Sequence, residues 1–359
     1  MLAVSVIIVN HFSAPLVSRA VRSVLDQEVS CEVIVVDNSA DENEARTLKA
    51  GLPDTVRVVV NAVNTGFARA CNQAFASSSG EAVLLLNPDA YLLPGALAVL
   101  LAALRSEAST GAVGPKVFWD AGRQFLMPPS TFPSLAGRFW NAASRCCSGV
   151  GGLHSRRFRA FALRYWQSDR PVSVPALSGG HVLLKRSALL AAGGLFDERF
   201  FLYWEDSDLM QRLRSAGYRL YMIPQALAVH EYTHSPEKDR LISAGWLAYE
   251  KKHFQPNGLA RWLRKLFPES RPAAPFPLLK PCYGTVTFFI PPAWTHQWLL
   301  EVSPNPDFVP AIGQIGRGGQ TALPAPLRER FSGGVYYARL TPCVSWPVRS
   351  LCWRDLNTK

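Results

Sequence analysis

Acidic side chains stand in two short motifs of this chain that could do chemistry. The first is Leu86-Asn87-Pro88-Asp89, which closes an apolar run, and the second is Trp204-Glu205-Asp206-Ser207-Asp208, more than a hundred residues later. A carboxylate can hold a divalent cation such as Mg²⁺ or Mn²⁺, and it can also take a proton from an attacking hydroxyl group. The two motifs therefore predict one metal-binding carboxylate, Asp89, and one general base.

The second motif opens a predicted helix that ends near Gly217. Acidic residues in the first turn of a helix also interact favourably with the helix dipole, so their position alone does not indicate catalysis. The dipole does not explain the aromatic run that precedes the motif over residues 200–204. Because an aromatic wall removes a carboxyl group from water and raises its pKa, we predict Asp206 as the base, with Glu205 beside it and Trp204 in the wall of a cleft.

Polar side chains also follow the predicted strands of the N-terminal region. Runs that are typical of buried strands alternate with helical patterns, and they cover residues 4–9, 33–36, 56–60 and 82–86. This alternation predicts an α/β fold whose parallel sheet is covered by helices on both faces. Asn10, Asp37, Asn64 and Asp89 come just past the strand ends, where ligands bind to such sheets. We therefore expect these four residues to lie on one rim.

Most of these polar residues also have a simpler interpretation. Asp37 could cap the loop after its strand, or it could accept a hydrogen bond from a base or a ribose. Asn64 could cap a helix, whereas the backbone amide of Gly66 could receive a pyrophosphate. His230, which follows another strand-like run, could be a satisfied polar group or a contact to metal or phosphate. The residue types alone leave both interpretations open.

The order and spacing of these motifs resemble the inverting glycosyltransferases of family 2, which have the GT-A fold, and within them the rhamnosyltransferase-like branch. The resemblance covers about residues 3–235. The matching stretches are residues 4–10, 35–39, 64–72, 86–89, 178–180, 194–198 and 203–209. The resemblance implies a Rossmann-like, nucleotide-binding mixed sheet with helices on both faces.

On the donor side, the resemblance implies a role for each matching residue. Asp89 stands where the last carboxylate of the family's DxD motif binds Mg²⁺ or Mn²⁺, and His230 resembles a late contact to metal or diphosphate. Asn87 replaces the first carboxylate of that motif, which leaves one negative charge fewer. The residues expected along the donor nucleotide are Asn10, Asp37, Asn64, Gly66 and Asn87.

On the acceptor side, the resemblance implies that Asp206 of the Glu205-Asp206 pair is the catalytic base. It would deprotonate an acceptor hydroxyl while that oxygen attacks the anomeric carbon from the face opposite the leaving diphosphate. One such displacement inverts the stereocentre. Gly179, Gly180 and Trp204 are expected in the acceptor cleft.

These implications predict an enzyme of the hexosyltransferase type that moves a sugar from a nucleotide-diphosphate donor to a saccharide or a polyprenyl-linked glycan. One candidate donor is dTDP-rhamnose, and the expected process is the synthesis of a bacterial surface polysaccharide. The alternative is a catalytically silent glycan- or nucleotide-binding protein of a polysaccharide assembly complex. The missing first carboxylate favours the alternative, whereas the intact Glu205-Asp206 pair argues against it.

The formal net charge of +11 predicts an acidic partner. Arginine and lysine are mixed with aromatic residues in segments 138–170 and 246–267. Such a mixture suits a helix that lies on an anionic membrane surface. It also suits an amphipathic helix packed on the domain, with arginine stems over apolar area. No nucleic-acid partner is expected, because no nucleic-acid-binding motif accompanies the charge.

The sequence predicts a cytoplasmic protein, either free or peripheral at the inner face of the plasma membrane. Its seven cysteines are odd in number and show no CxxC spacing, which is typical of reduced thiols. We find neither a secretory signal nor an apolar run near the roughly twenty residues that a spanning helix needs.

Three regions are predicted along the chain. A GT-A domain covers residues 1–267, a proline-rich linker covers residues 268–281, and a small β-rich, sandwich-like domain covers residues 282–359. The aromatic side chains of the last region could stack on a glycan or could form the core of the small domain. We favour the core.

Overall fold

The computed structural model describes residues 2–131, 148–233, 236–254, 285–331, 334–342 and 349–355. The predicted linker over residues 268–281 lies outside the described residues, as do residues 138–147 and 255–267 of the two basic segments. The boundaries of the three predicted regions therefore stay a prediction.

A mixed sheet of nine strands forms the centre of the fold. In chain order its strands are β1 (Val4–Asn10), β2 (Cys31–Asp37), β3 (Arg57–Val60), β4 (Ala82–Leu86), β5 (Ala90–Leu92), β6 (Thr110–Phe118), β7 (Val172–Ser173), β8 (His181–Lys185) and β9 (Arg219–His230). The spatial order is β3-β2-β1-β4-β8-β6-β9-β5, and β7 pairs with β9. The first four strands are parallel, whereas β8 runs antiparallel to both of its neighbours. The predicted mixed α/β sheet is thus confirmed.

Helices cover both faces of this sheet. They are α1 (Ala14–Leu25), α2 (Glu42–Ala50), α3 (Phe67–Ala76), α4 (Ala96–Ser106), α5 (Ser148–Gln167), α6 (Arg186–Ala191), α7 (Glu205–Ser215) and α8 (Pro236–His253). Successive residues of a strand point to opposite faces, so Ile7 belongs to a core with α3, and Ile8 belongs to a core with α1 and α4. Both side chains are buried. The continuous apolar runs of the sequence are therefore strands that are buried on both faces.

Antiparallel strands make up the described C-terminal region. Four form one sheet in the order β12-β11-β14-β15, and two form the pair β10-β13. Their bounds, with those of one short helix, are β10 (Val286–Phe289), β11 (Trp298–Ser303), β12 (Ile312–Gly316), β13 (Gln320–Leu323), α9 (Ala325–Arg328), β14 (Gly334–Pro342) and β15 (Arg349–Asp355). Trp298 and Tyr336 are buried in a core that also contains Trp119 and Phe125. The preference for a core over a glycan-stacking surface is confirmed at these two positions.

Helix α5 carries the described part of the first basic segment. Phe158, Tyr165 and Trp166 are buried in the core, while Arg157 and Arg164 are exposed. These three aromatic side chains thus pack inside the protein, as in the alternative of an amphipathic helix packed on the domain. Within the residues that the structure describes, no helix is both long and apolar enough to cross a bilayer.

A buried ion-pair network joins α5 to the C-terminal strands. Glu301 of β11 is fully buried, and its carboxylate binds Arg159 of α5 (Nε to Oε2, 3.1 Å) and Arg339 of β14 (Nη2 to Oε1, 2.7 Å). Arg339 also donates to the hydroxyl group of Ser155 in α5 (3.1 Å), and Arg159 donates to that of Thr341 in β14. Because buried charges need partners, this network holds α5 against β11 and β14.

Glu301→Gln should lower the free energy of unfolding by about 3 kcal/mol, because Arg159 and Arg339 then lose their buried counter-charge. Urea denaturation followed by circular dichroism measures this change. Glu329→Gln alters an exposed carboxylate of the same region and is the control, with an expected change below about 0.5 kcal/mol. If Glu301→Gln and the wild type had the same urea midpoint, the network would not stabilise the protein.

Candidate active site

Asn10 lies fully buried at the end of β1, and its side-chain amide is hydrogen-bonded to other residues of the protein. Its Nδ2 donates to Oδ1 of Asp37 (3.0 Å) and to Oε1 of Glu44 (3.0 Å). Its Oδ1 accepts from the backbone N–H of Ser13 (3.1 Å). Both ends of the amide are occupied, so Asn10 orients Asp37. Glu44 carries no sequence signal for this contact, because only the fold brings α2 back to the end of β1.

Asp37 is the buried carboxylate at the end of β2. Its Oδ1 accepts from Asn10 and from the backbone N–H of Ser39 (3.1 Å), while its buried Oδ2 has no hydrogen-bond partner. A buried acceptor without a donor costs free energy. A ligand that brings an N–H or O–H group to Oδ2 would recover that free energy, which is chemistry that a nucleobase or a ribose can supply.

The loop before α3 holds the predicted residues Asn64 and Gly66. Asn64 is exposed, and its Oδ1 accepts from Nδ2 of Asn38 (2.8 Å) and from the backbone N–H of Gly66 (3.0 Å). Oδ1 of Asn38 accepts from the backbone N–H of Thr65 (3.1 Å). The side chains of Asn38 and Asn64 therefore shape this loop. Asn38 was not among the predicted site residues, although an asparagine next to Asp37 at a strand end is a signal for such a turn.

Gly66 brings this loop into contact with the aromatic run before α7. Its φ of +83° favours glycine, and a Cβ atom there would lie 2.6 Å from the carbonyl oxygen of Phe201. The same oxygen accepts from the backbone N–H of Phe67 (2.7 Å). The predicted donor loop is thus in direct backbone contact with the aromatic run that precedes the predicted catalytic motif.

Asp89 and His230, the predicted metal ligands, lie side by side. Strand β5 pairs with β9 so that Ala90 faces His230, and Nε2 of His230 lies 3.1 Å from Oδ1 of Asp89. The angles there do not make a hydrogen bond, and both ring nitrogens of the buried His230 lack one. A carboxylate beside an unsatisfied imidazole is a pair that a divalent cation can bind. In the described part of the chain, no cluster of three or more such side chains is arranged to hold a metal.

Two further residues near this pair, Lys238 and His181, were not predicted from the sequence. Burial raises the pKa of Asp89, but the proximity of His230 and the charge of Lys238 outweigh it, so the pKa of Asp89 lies below its ordinary value. The ring of His181 lies 5.4 Å from that of His230, and burial together with His230 lowers the pKa of His181 to about 3. His181 is therefore a neutral imidazole, and its position right after Gly179-Gly180 was its only sequence signal.

Gly179 and Gly180 lie between the two halves of the site. The backbone N–H of Gly179 donates to Oδ2 of Asp206 (3.1 Å), and the carbonyl of Gly180 accepts from the backbone N–H of Asn87 (2.9 Å). A Cβ atom at Gly180 would lie 2.8 Å from Nδ2 of Asn87 and 3.2 Å from Cε1 of His230. A side chain at Gly180 would therefore displace the side chain of Asn87 or His230. The two glycines therefore bring the predicted base close to the predicted metal ligands.

The carboxylate of Asp206 is held by backbone donors at the start of α7. Its Oδ2 accepts from Gly179, and its Oδ1 accepts from the backbone N–H of Ser207 (2.6 Å). Burial raises the pKa of Asp206, while these hydrogen bonds oppose the rise. The carboxylate is thus oriented, ionisable and more basic than an exposed aspartate, which are the properties of a useful general base.

Glu205 differs from its neighbour in its surroundings. It is 5% exposed, and its Oε2 has no hydrogen-bond partner. Burial, with the charge of Asp206, raises the pKa of Glu205 to about 8. Burial and the charge of Asp206 thus favour a protonated Glu205, whereas the backbone N–H donors favour an ionised Asp206.

The ring of Trp204 packs against α8. Tyr203 and Trp204 have φ values of +70° and +73°, a conformation that costs free energy for aromatic residues. Nε1 of Trp204 donates to the carbonyl of Ile242 (2.8 Å), and its ring lies 4.7 Å from that of Trp246. A Cβ atom at Gly245 of α8 would lie 2.7 Å from the carbonyl oxygen of Tyr203. Helix α8 thus holds the strained turn, and a cleft role for Trp204 stays a prediction.

Asp208, the last acidic residue of the motif, has a structural role. It is fully buried and binds Arg212 (2.9 Å), Lys252 (2.6 Å) and His253 (2.7 Å). The contacts with Lys252 and His253 tie α7 to the end of α8. The acidic residues after Trp204 therefore divide into Glu205 and Asp206 at the site and Asp208 in the support of α7.

The N-terminal half of the chain is similar to a known protein family. A model of the family described as Glycosyl transferase family 2 matches residues 5–189, just over half of the chain. The chain belongs to this family. The prediction of a glycosyltransferase is thereby confirmed, and the assignment does not support a catalytically silent binding protein. The matched part of this glycosyltransferase contains Asp37, Asp89 and the two glycines, and it ends before Glu205 and His230.

Several known proteins are similar to part of this glycosyltransferase in sequence or in structure. The N-acetylglucosaminyl-diphospho-decaprenol L-rhamnosyltransferase of Mycobacterium tuberculosis is 31% identical over 251 residues, which are 65% of this chain and 78% of the relative. This relative confirms the resemblance to rhamnosyltransferases. Among solved structures, the mannosyltransferase of Pyrobaculum calidifontis in complex with GDP-Man and Mn²⁺ has a TM-score of 0.44 and 20% identity over 66% of this chain and 58% of that chain. GalNAc-T7 with UDP, GalNAc and Mn²⁺ has a TM-score of 0.45 and 18% identity over 64% and 44% of the two chains.

Glu205→Gln should make the protein more stable than the wild type by an amount that grows as the pH rises. Since the pKa of Glu205 is about 8 in the folded protein and its ordinary value is 4.5, the folded state keeps a proton that the unfolded state releases between these values. The stability that the Glu205 proton contributes is therefore fully present below pH 4.5, the ordinary pKa, and it is lost as the pH rises through about 8, the pKa in the folded protein. Glutamine does not titrate. Thermal unfolding from about pH 5 to about pH 9 measures the difference in Tm.

The matched control is Glu42→Gln, at an exposed glutamate in the first turn of α2. Its Tm should run parallel to that of the wild type over the same pH range. A parallel curve for Glu205→Gln as well would mean that the folded protein does not hold the Glu205 proton.

Proposed function

We propose that this glycosyltransferase moves a sugar, with inversion, from a nucleotide-diphosphate donor to a saccharide or a polyprenyl-linked glycan. The observation that carries the proposal is the contact of Gly179 with Asp206 and of Gly180 with Asn87 and His230. Through these contacts, the general base Asp206 and the pair of Asp89 and His230, which could bind a cation on the diphosphate, lie next to the Gly179-Gly180 turn. This is the arrangement that transfer from a diphosphate leaving group to a hydroxyl group requires.

The donor nucleotide would lie along the ends of β1 and β2. The unpartnered Oδ2 of Asp37 supports a contact to the base or the ribose, and the loop of Asn64 and Gly66 lies next to it through Asn38. Asn10 supports this contact indirectly because it holds Asp37. The name of the mycobacterial relative, a rhamnosyltransferase that acts on a diphospho-decaprenol-linked sugar, supports dTDP-rhamnose as a candidate donor and a polyprenyl-linked acceptor in surface polysaccharide synthesis.

A divalent cation, Mg²⁺ or Mn²⁺, would be held by Asp89 and His230. Because these two side chains alone do not fill a coordination sphere, oxygens of the donor diphosphate would complete it. A cation there offsets the charge that develops on the leaving diphosphate. Asn87 places a neutral amide where a second carboxylate would otherwise stand, so the protein itself contributes little negative charge to the site.

Asp206 would act as the base in a single displacement. Its carboxylate takes the proton of the acceptor hydroxyl as that oxygen bonds to the anomeric carbon, and the bond to the diphosphate breaks with its electron pair on the leaving group. The attack comes from the face opposite the diphosphate, so the anomeric configuration inverts. The backbone N–H groups of Gly179 and Ser207 keep the carboxylate in place. Protonated Glu205 leaves Asp206 as the acceptor of the proton.

An anionic membrane surface would bring the enzyme to a lipid-linked acceptor. The outward side of α5, where Arg156, Arg157 and Arg164 are exposed, supports this peripheral placement at the inner face of the plasma membrane. Because Phe158, Tyr165 and Trp166 of α5 are buried, the contact would be electrostatic and would weaken as salt concentration rises.

Asp206→Asn should reduce kcat by about a thousandfold, because the amide cannot take the acceptor proton, while donor affinity stays close to that of the wild type. Release of nucleoside diphosphate from a panel of sugar nucleotides, with a polyprenyl-linked acceptor, measures turnover, and calorimetry measures donor affinity. Asp54→Asn, at an exposed aspartate, is the control and should keep full activity. Retained turnover in Asp206→Asn would remove this residue from the role of base.

Asp89→Ala should abolish the part of nucleotide binding that depends on metal, because His230 is then the remaining protein ligand. A thermal-shift titration against UDP, dTDP and GDP, each with and without Mn²⁺, measures this. A ligand at a hundredfold its Kd adds about 2.7 kcal/mol to the stability of the wild type, which is an easily seen shift. Asp54→Ala is the control. Equal shifts with and without Mn²⁺ in the wild type and in Asp89→Ala would contradict the assignment of Asp89.

A further inference from the structure

Glu231 ties the two predicted metal ligands together through its backbone. It directly follows His230 at the end of β9, and its backbone N–H donates to the carbonyl oxygen of Asp89 (2.8 Å). The facing pair of Ala90 and His230 lies next to this bond. Any movement of Glu231 would therefore change the position of Asp89 relative to His230.

The carboxylate of Glu231 is bound by two arginines from distant parts of the chain. Arg19 of α1 donates to its Oε2, and Arg330, which follows α9 in the C-terminal region, donates to its Oε1 (Nη2 to Oε1, 2.5 Å). Arg330 and Glu231 are 18% and 17% exposed, against 40% for Arg19, so the pair with Arg330 is the better shielded from water.

Arg330 also fixes the residues on the other side of Glu231. Its Nη1 donates to the carbonyl oxygen of Trp119 (2.5 Å), and its guanidinium group lies 5.8 Å from the centre of the Trp119 ring. Nε1 of Trp119 in turn donates to the carbonyl oxygen of Tyr232 (2.8 Å). One arginine of the C-terminal region thus contacts, directly or through Trp119, both residues that follow His230.

The geometry of Asp89 and His230 needs such support. No hydrogen bond of good geometry joins the two side chains, and no third described carboxylate or imidazole completes a metal cluster with them. Their relative position is therefore set by the backbone of the two chain segments that carry them. The bond from Glu231 to Asp89 joins these segments directly beside the paired residues Ala90 and His230.

We propose that Arg330 is a positioning residue for the diphosphate- and metal-binding pair: by holding Glu231 and Trp119, it keeps Asp89 and His230 at a distance that one cation can bridge. This inference rests on the proposed function. It means that the C-terminal region, which lies outside the matched family model, contributes to donor binding without touching the donor. The residues that hold metal ligands in place commonly change metal affinity when they are replaced.

The test is a titration with MnCl₂ of the full-length protein, saturated with whichever of UDP, dTDP or GDP stabilises the wild type. Arg330→Met should raise the apparent Kd of Mn²⁺ by about tenfold and raise the KM of the donor, with kcat at saturating metal within a few-fold of the wild type. Arg330→Lys keeps the charge beside Glu231 and should restore a large part of the affinity. Arg317→Met, at an exposed arginine of the same region, is the matched control and should leave Mn²⁺ affinity unchanged.

A second variant separates positioning from general destabilisation. Glu231→Gln keeps the backbone bond to Asp89 but weakens both arginine contacts, so it should raise the Kd of Mn²⁺ in the same direction as Arg330→Met. If Arg330 acts through Glu231, the double variant should be little worse than the worse single variant. A lower Tm with unchanged Mn²⁺ affinity in both single variants would overturn the inference and make the contact purely structural.

The outcome for the wild type distinguishes this inference from the proposed function. If the wild type binds no nucleotide with Mn²⁺, the proposed function fails and the inference falls with it. If the wild type binds and Arg330→Met binds equally well, the inference alone is overturned.

Discussion

The close approach of the Gly179-Gly180 turn to two different chain segments is the constraint on which the site depends. Gly179 binds Asp206 at the start of α7, and Gly180 packs against Asn87 and His230. The position of this turn follows from the sheet, because β8 is hydrogen-bonded to β4 with His181 opposite Leu86. A Cβ atom at Gly179 would lie 3.1 Å from Cβ of Asp206, and one at Gly180 would lie 3.2 Å from Cε1 of His230, so both positions are tightly packed. The chemistry therefore rests on strand register and on close packing at these two glycines.

Several polar atoms of the site are buried without partners, and the rest of the fold must hold them there. They include Oδ2 of Asp37, Oε2 of Glu205 and both ring nitrogens of His230. Each such atom costs free energy, so these positions persist because two apolar cores, one on each face of the sheet, fix the strands that carry them. The positive φ values of Tyr203 and Trp204 add a further cost, which packing against α8 offsets. The site is thus destabilised in its free form and gains from ligands that supply the missing partners.

The C-terminal strands are in contact with the catalytic part at two charged clusters. Glu301 joins them to α5 through Arg159, and Arg330 joins them to Glu231 beside the metal-binding pair. Trp119 and Phe125, which precede the basic segment, belong to the core of the C-terminal strands. The two parts therefore share both apolar and charged contacts. The small β-rich region predicted from the sequence thus contacts the segment that carries His230.

The sequence by itself determined the four parallel strands β1 to β4 and the helices that alternate with them, because apolar runs and helical periodicity are local patterns. Motif order was enough to indicate Asp89, Asp206 and the two glycines, and the comparisons confirm the family to which that order belongs. Only the tertiary structure showed that the amide of Asn10 is hydrogen-bonded to Asp37 and Glu44 and that Trp204 packs against α8. It also showed that Oε2 of Glu205 has no hydrogen-bond partner, whereas the carboxylate of Asp206 accepts from Gly179. It also brought Arg330 to Glu231, across 99 positions of the chain. These contacts join residues far apart in sequence, and their geometry follows from strand order and packing, which no local pattern contains.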